Sequence, residues 1–333
     1  MNKPNATQKI KTKPDHRQSR DQQASHKFTV SVQNYIEMQS VVVNDIQLRV
    51  QELKVQQRKS HAKVFIIENF LSQHEMQSLV KAHDHHSTDL RIPPPLFCFD
   101  GVNTLQAHLD DAGIKYTASD SDFTAGTYCV NSTFSHRLKH VLKWSVSTAF
   151  YTGESKFSWI LQDRIFKATG LKPENGGKYQ LTSYSEGVGY KTHTDCVLND
   201  EKRDRYGTFL VYLEDVEEGG ETRFPQLDIA VKPKAGRALI WNSMDAEGNC
   251  DPMTVHSADK VARGRKVILQ RWYYYHNFPA LGKRMSEPDL PVRLPHQPMV
   301  QCDQYDSGSC RWYDEWGYGH LREYRQMNQN NQL

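Results

Sequence analysis

The stretch Tyr184-Ser-Glu-Gly-Val-Gly-Tyr-Lys-Thr-His193-Thr-Asp195 reads as the end of one strand, a Gly-x-Gly turn and the opening of a second strand. On an extended backbone alternate side chains share a face, so His193 and Asp195 point the same way and can grip one metal ion together. A third ligand is required. His256, far downstream, is separated from the pair by enough chain to run out along several strands and return beside it.

A bare His-x-Asp is weak evidence, because 15 histidines in this chain make about one accidental match expected. His108-Leu-Asp110 is such a match, but it lies in Leu105-Gln-Ala-His-Leu-Asp-Asp-Ala112, which reads as helix. Residues two apart on a helix diverge by about 200°, so that pair does not share a ligand. The pair at 193 and 195 sits instead in a strand context. Two neutral imidazoles and one carboxylate leave the remaining coordination positions open, which is the donor set of non-haem Fe(II) oxygenases. Lys266 follows His256 just after Gly264 and opens Lys266-Val-Ile-Leu-Gln-Arg-Trp272, where Lys266, Ile268, Gln270 and Trp272 share one face. A lysine turned into a sheet interior is costly unless an anion meets it, and the far carboxylate of a keto-acid cosubstrate would be such an anion.

Outward from these residues the texture is that of short strands. Tyr179–Tyr184, Gly207–Leu213, Ile229–Val231, Arg237–Trp241 and Lys266–Tyr275 alternate with Gly and Pro turns, among them Glu217-Glu-Gly-Gly-Glu-Thr222. Upstream, Arg137–Tyr151 and Ser158–Thr169 read as helices, the second stopped by Gly170. An apolar strand within Ala62–Leu71 runs into a Ser72-x-x-Glu75 capping box. Strands preceded by helices predict an α+β fold, a double-stranded β-helix (jelly-roll) core buttressed by helices on one side. The predicted organisation is a disordered polar tail over 1–27, an N-terminal extension over 28–61, the core domain over 62–279, and a Pro-rich and aromatic extension over 280–333. Within 28–61 both strand and helix remain open, with strand ahead on its period of two. The passage from Ile92 to Val130 shows a short helix near Leu105–Leu109 and no clear core face.

Composition narrows the function classes. A net charge of +3 on 333 residues gives no basic surface for nucleic acid, and no apolar run is long enough for a transmembrane span. Met1-Asn-Lys-Pro-Asn-Ala-Thr-Gln-Lys9 is followed by no apolar segment of a signal peptide, an expectation of cytoplasmic residence. Six cysteines allow 15 pairings; Cys302 and Cys310 alone are close in sequence, and either a disulfide staple or two thiols fits them. Cys196 alternates to the face opposite Asp195 and reads as packing.

Four segments together resemble the prolyl 4-hydroxylase branch of the Fe(II)/2-oxoglutarate dioxygenases: Tyr184–Asp195, Arg205–Pro225, Val231–Gly236 and Asp251–Trp272. The resemblance covers about residues 62 to 279 and is strongest from 178 onward. It implies that His193, Asp195 and His256 bind Fe(2+), that Lys266 holds the far carboxylate of 2-oxoglutarate, and that Tyr184 donates its hydroxyl to the same carboxylate. Thr208 reads either as a further cosubstrate contact or as strand packing, and Trp272 as pocket lining or core. Relatives usually carry proline where this chain has Lys260, and tryptophan where it has Val267. The implied reaction couples hydroxylation of a substrate C–H bond by O2 to decarboxylation of 2-oxoglutarate to succinate, with L-ascorbate keeping the iron reduced. The implied substrate is a peptide or protein containing proline, and the implied compartment is the endoplasmic reticulum. Another protein side chain or a small molecule fits the same chemistry. A non-catalytic binding protein on this fold predicts missing ligands, whereas all are present. A zinc hydrolase using the same trio leaves Lys266 and Tyr184 without a role.

Overall fold

Arg205-Tyr-Gly-Thr-Phe-Leu-Val-Tyr212 and Lys266-Val-Ile-Leu-Gln-Arg-Trp-Tyr-Tyr274 are apolar on both alternations, the signature of strands covered on both faces. In the computed structural model, which describes residues 35–43, 46–54, 60–88, 96–99, 101–196, 204–286 and 310–312, these two segments lie side by side in the middle of the largest sheet. In chain order the strands are β1 (Tyr35–Val43), β2 (Ile46–Leu53), β3 (Val64–Ile67), β4 (Leu96–Cys98), β5 (Val146–Phe150), β6 (Gly176–Tyr184), β7 (Tyr190–His193) and β8 (Arg205–Tyr212). They continue with β9 (Glu218–Gly219), β10 (Thr222–Phe224), β11 (Ile229–Val231), β12 (Ala238–Asn242), β13 (His256–Ala258), β14 (Val261–Arg263), β15 (Lys266–Tyr274) and β16 (Cys310–Trp312). The α-helices are α1 (Gln73–Ser87), α2 (Val102–Asp111), α3 (Ser132–Leu138) and α4 (Lys156–Thr169).

The large sheet runs β1-β2-β3-β12-β8-β15-β6-β5, and a smaller sheet runs β11-β10-β13-β7. One face of the large sheet presents Phe209, Val211, Val267, Leu269 and Tyr273 to Met76 and Leu79 of α1 and to Leu161, Ile165 and Ala168 of α4. The other face presents Leu210, Tyr212, Ile268 and Trp241 to Phe224, Ile229 and Val231 of the smaller sheet. The result is the α+β architecture expected, a double-stranded β-helix core buttressed by helices, with the candidate site between the two sheets.

Helix α1 starts where its capping box directs. Glu75 N–H donates to Ser72 Oγ at 3.3 Å, and Ser72 N–H donates to Glu75 Oε2 at 2.8 Å. Glu75 also accepts both ends of the buried Arg164 guanidinium from α4, at 3.0 and 2.8 Å, tying the two buttressing helices together. Ser72→Ala is therefore expected to destabilise the protein by about 1 kcal/mol in urea denaturation.

Three expectations change in the structure. Arg137–Tyr151, read as helix, is the end of α3 followed by strand β5. Val146, Thr148 and Phe150 alternate, and the open edge of β6 supplies the ladder, so pairing to the sheet overrides local helical spacing. The 92–130 passage has a core of its own, with Leu105 and Leu109 of α2 packed on Phe97, Phe99, Phe123 and Val130. His108 and Asp110 lie on α2, as the helical reading requires. The cysteines pair as Cys98–Cys129 and Cys196–Cys250, so Cys196 is not merely packing. Cys302, most of the 280–333 extension and the whole 1–27 tail fall outside the described residues. Residues 28–61 resolve toward strand where described, β2 joining β3 through Val50 opposite Ile67.

Candidate metal centre

His193 ends β7 and His256 begins β13, and the antiparallel register sets the two directly opposite each other. Their rings lie 4.4 Å apart between centroids. Asp195 sits just beyond the end of β7 in a bend rather than within the strand, yet the alternation holds and its carboxylate meets both rings. Its Oδ1 is 3.5 Å from His193 Nε2 and its Oδ2 is 3.7 Å from His256 Nε2. The three side chains converge within 4.8 Å of one another, Asp195 and His256 buried and His193 half-buried.

Hydrogen bonds on the far side of each ligand fix what faces inward. His193 Nδ1–H donates to the Lys191 carbonyl and His256 Nδ1–H to the Thr254 carbonyl, each at 2.9 Å. A carbonyl only accepts, so each δ nitrogen carries the proton and each Nε2 turns a lone pair toward Asp195. Burial pushes the His256 imidazole down to about 4, against the pull of Asp195, so it is neutral near pH 7 as a metal ligand must be. For Asp195, burial opposes ionisation, but His256, His193 and Arg205 outweigh it and hold the carboxyl well below the usual carboxylate range. Thr208 Oγ1 donates to Asp195 Oδ2 at 2.5 Å. Asp195 Oδ1, by contrast, is buried with no hydrogen-bond partner among the described residues. A buried ionised carboxylate with one oxygen lacking a donor, its two oxygens turned toward two imidazole lone pairs, fits a divalent cation.

Lys266 opens β15, opposite Tyr184 of β6, and is 1% exposed. Its ammonium lies 5.6 Å from the ring centroids of both Tyr184 and Tyr212 and donates to the Gly220 carbonyl at 2.7 Å. The turn carrying Gly220 needs glycine there, since its φ is +74° and a Cβ would sit 3.4 Å from the lysine stem. Burial pushes the Lys266 amine down to about 8, with Asp259 and Glu221 pulling the other way. Its one short partner is thus a neutral carbonyl, which leaves a buried cation suited to an incoming carboxylate.

The sequence reading grouped Thr208 and Trp272 with Lys266 as cosubstrate contacts, and the strand registers separate them. Thr208 lies opposite Trp272 on the neighbouring strand. Trp272 is six strand positions, about 20 Å, from Lys266. Thr208 is therefore committed to Asp195, and Trp272 stands at the other end of the site with the Arg205 guanidinium stacked 4.1 Å above its ring. Sequence reasoning missed Arg205, and it missed Trp241, whose ring meets His256 edge to face at 4.8 Å. Neither carries a sequence signal, because both act across strands. Thr208→Val keeps the shape and removes the hydroxyl; by the usual weight of a group that orients a ligand, metal affinity should fall about 10- to 100-fold in a Mn(II) titration.

Known proteins resemble parts of this chain. The family model of the 2OG-Fe(II) oxygenase superfamily matches residues 179–274. Probable prolyl 4-hydroxylase 8 of Arabidopsis thaliana is 28% identical over 160 residues, covering 41% of this chain and 55% of that protein. Prolyl 4-hydroxylase subunit alpha-1 of Homo sapiens is 34% identical over 119 residues, 33% of this chain and 22% of that protein. The matched part thus spans about half of the plant relative and under a quarter of the human one. Among solved structures, a viral collagen prolyl hydroxylase from Paramecium Bursaria Chlorella virus-1, in its 2OG complex, aligns at TM-score 0.43 and 22% identity over 63% of this chain and 95% of that one. Residues 179–274 thus match the 2OG-Fe(II) oxygenase superfamily, and the chain is similar there to prolyl 4-hydroxylases.

Proposed function

We propose that this chain is an Fe(II)- and 2-oxoglutarate-dependent dioxygenase that hydroxylates proline within peptides. The observation that carries the reading is the buried Asp195 carboxylate, whose Oδ1 has no hydrogen-bond donor among the described residues and lies 3.5 Å from His193 Nε2, while its Oδ2 lies 3.7 Å from His256 Nε2. Fe(II) held by His193, Asp195 and His256 would supply the redox chemistry that divides O2 between 2-oxoglutarate, lost as succinate and CO2, and a substrate C–H bond.

The protein's own groups do the rest. The Nδ1–H bonds to Lys191 and Thr254 keep both histidines in the metal-binding tautomer, and Thr208 orients the carboxylate. Lys266, protonated below about pH 8, is the charge partner for the far carboxylate of 2-oxoglutarate, with the Tyr184 ring beside it. Trp241 and Phe224 pack around His256 and exclude water from that side. Arg205 stacks on Trp272 at the other end, and Tyr190, 40% exposed, stands edge-on to His193. A prolyl ring stacks well on such aromatic faces, and a guanidinium suits the adjoining peptide carbonyl. Two disulfides suit an oxidising compartment, so we place the protein in the endoplasmic reticulum rather than the cytoplasm, with ascorbate as the iron reductant.

The test is turnover of 2-oxoglutarate by the Fe(II)-loaded protein with proline-rich peptides, reading succinate and the mass of the peptide. Succinate with a 16 Da gain on proline is the expected result. Succinate without a modified peptide removes the prolyl assignment and keeps the reaction class, and no succinate with any peptide overturns both.

A further inference from the structure

Among the described residues, the strand that carries the first metal ligand pairs on one side only. β7 is the outer strand of the smaller sheet, and its ladder to β13 consists of His193 opposite His256 and Tyr190 opposite Ala258, with an irregularity between. Asp195 lies past the end of that ladder, so the sheet itself does not fix it. The next residue, Cys196, is 1% exposed and bonded to Cys250, 54 positions away in sequence.

Cys250 stands at the head of the segment that delivers His256. It bridges Met244 at the close of a turn pinned by Asp245, whose side chain accepts from Glu247 and Asn249. Asp251 follows, capping the short helical turn Pro252–Thr254 through Met253 N–H and anchoring Ser60 and His61 through its other oxygen. Thr254 then supplies the carbonyl that orients His256. The bridge therefore joins the residue after one ligand to a rigid turn that ends in another. Cys98–Cys129, in contrast, joins two segments whose neighbours Phe97, Phe99 and Val130 belong to the separate apolar cluster around α2.

We propose that the Cys196–Cys250 disulfide is a positioning clamp for the metal triad, so that its reduction by a dithiol releases the metal while the sheet core stays folded; this rests on the metal-binding reading above. Cys250 is half-buried and Cys196 buried, so the reductant's thiolate attacks Cys250 sulfur and Cys196 leaves as thiolate and takes up a proton. The reductant's second thiol then displaces Cys250 from the mixed disulfide. Two electrons and two protons pass to the bridge, and the dithiol becomes a cyclic disulfide. The two ligand loops are then no longer covalently joined, while the Thr208 hydroxyl still bonds Asp195.

The experiment uses the full chain and Mn(II), a probe that dithiols do not reduce, with free Mn(II) read by electron paramagnetic resonance and the fold by circular dichroism. Mass spectrometry after thiol alkylation identifies which bridge has opened. Opening Cys196–Cys250, by dithiol or in the C196S/C250S variant, is expected to raise the Mn(II) Kd at least tenfold with the dichroism unchanged. The C98S/C129S variant should stay within twofold of the parent. An unchanged Kd in C196S/C250S, an equal weakening in C98S/C129S, or loss of the dichroism together with the metal each overturns the clamp. Absence of Mn(II) binding in the oxidised parent overturns the metal reading, and the clamp with it.

Discussion

Asp195→Ala will leave the protein folded and unable to hold metal. The substitution takes away one of the three proposed ligands, so affinity should fall on the order of 10³-fold, beyond the 10- to 100-fold typical of groups that only orient a ligand. The metal-free stability should stay within about 1 kcal/mol of the parent, because two effects offset each other. A buried carboxylate with an unpaired oxygen is removed, which stabilises; the Thr208 hydroxyl loses its acceptor, which destabilises. Thermal denaturation with and without Mn(II) checks this directly. At 1,000 times its Kd a ligand adds about 4 kcal/mol to the parent's stability, and the variant should show no such rise. A variant that still shifts with Mn(II) would place the metal elsewhere.

Lys266→Met should separate stability from binding. Burial lowers the lysine from its usual 10.5 to about 8, which corresponds to about 3 kcal/mol of unfavourable burial of the charged form. Losing the bond to the Gly220 carbonyl costs about 1 to 2 kcal/mol in return. The variant should therefore be more stable than the parent by about 1 to 2 kcal/mol in urea at pH 7, while 2-oxoglutarate binding falls at least 100-fold. The pH dependence has a definite sign. Between about pH 8 and 10.5 the unfolded chain keeps the Lys266 proton and the folded one has lost it, so this residue's contribution makes stability rise with pH across that window. Below about pH 8 both states are protonated and the burden is present in full. Cosubstrate affinity runs the other way, since the carboxylate needs the ammonium. Its Kd in calorimetry should be flat below about pH 8 and climb about tenfold per pH unit above it.

Lys266 was legible from its spacing to His256, since a lysine on a strand, taken alone, more often lies at an exposed edge, and the structure buries it. His193 and Asp195 were legible for a periodic reason, although Asp195 proves to stand just past the strand end. What escaped reading depends on partners distant in sequence. Thr208 bonds to Asp195 because β8 passes beneath the end of β7, and nothing local to Thr208 says so. β5 looked helical in isolation and became a strand because β6 offered it an edge. Cysteine pairing is likewise a tertiary fact, and Cys196 and Cys250 carry no spacing that announces their bond. The separation of Trp272 from Lys266 follows from the register of β15 against β8, which periodicity alone does not supply.

The candidate site draws on two sheets of unequal permanence. Thr208, Lys266 and Trp272 lie on β8 and β15, interior strands bonded on both sides, whose amides should exchange with solvent only on global unfolding. Among the described residues His193 and Asp195 belong to the end of a strand paired on one side only, where local opening needs no such event and is limited by the Cys196–Cys250 bridge. An ion could therefore enter and leave many times within the lifetime of one folded molecule, while the cavity wall opposite keeps its shape.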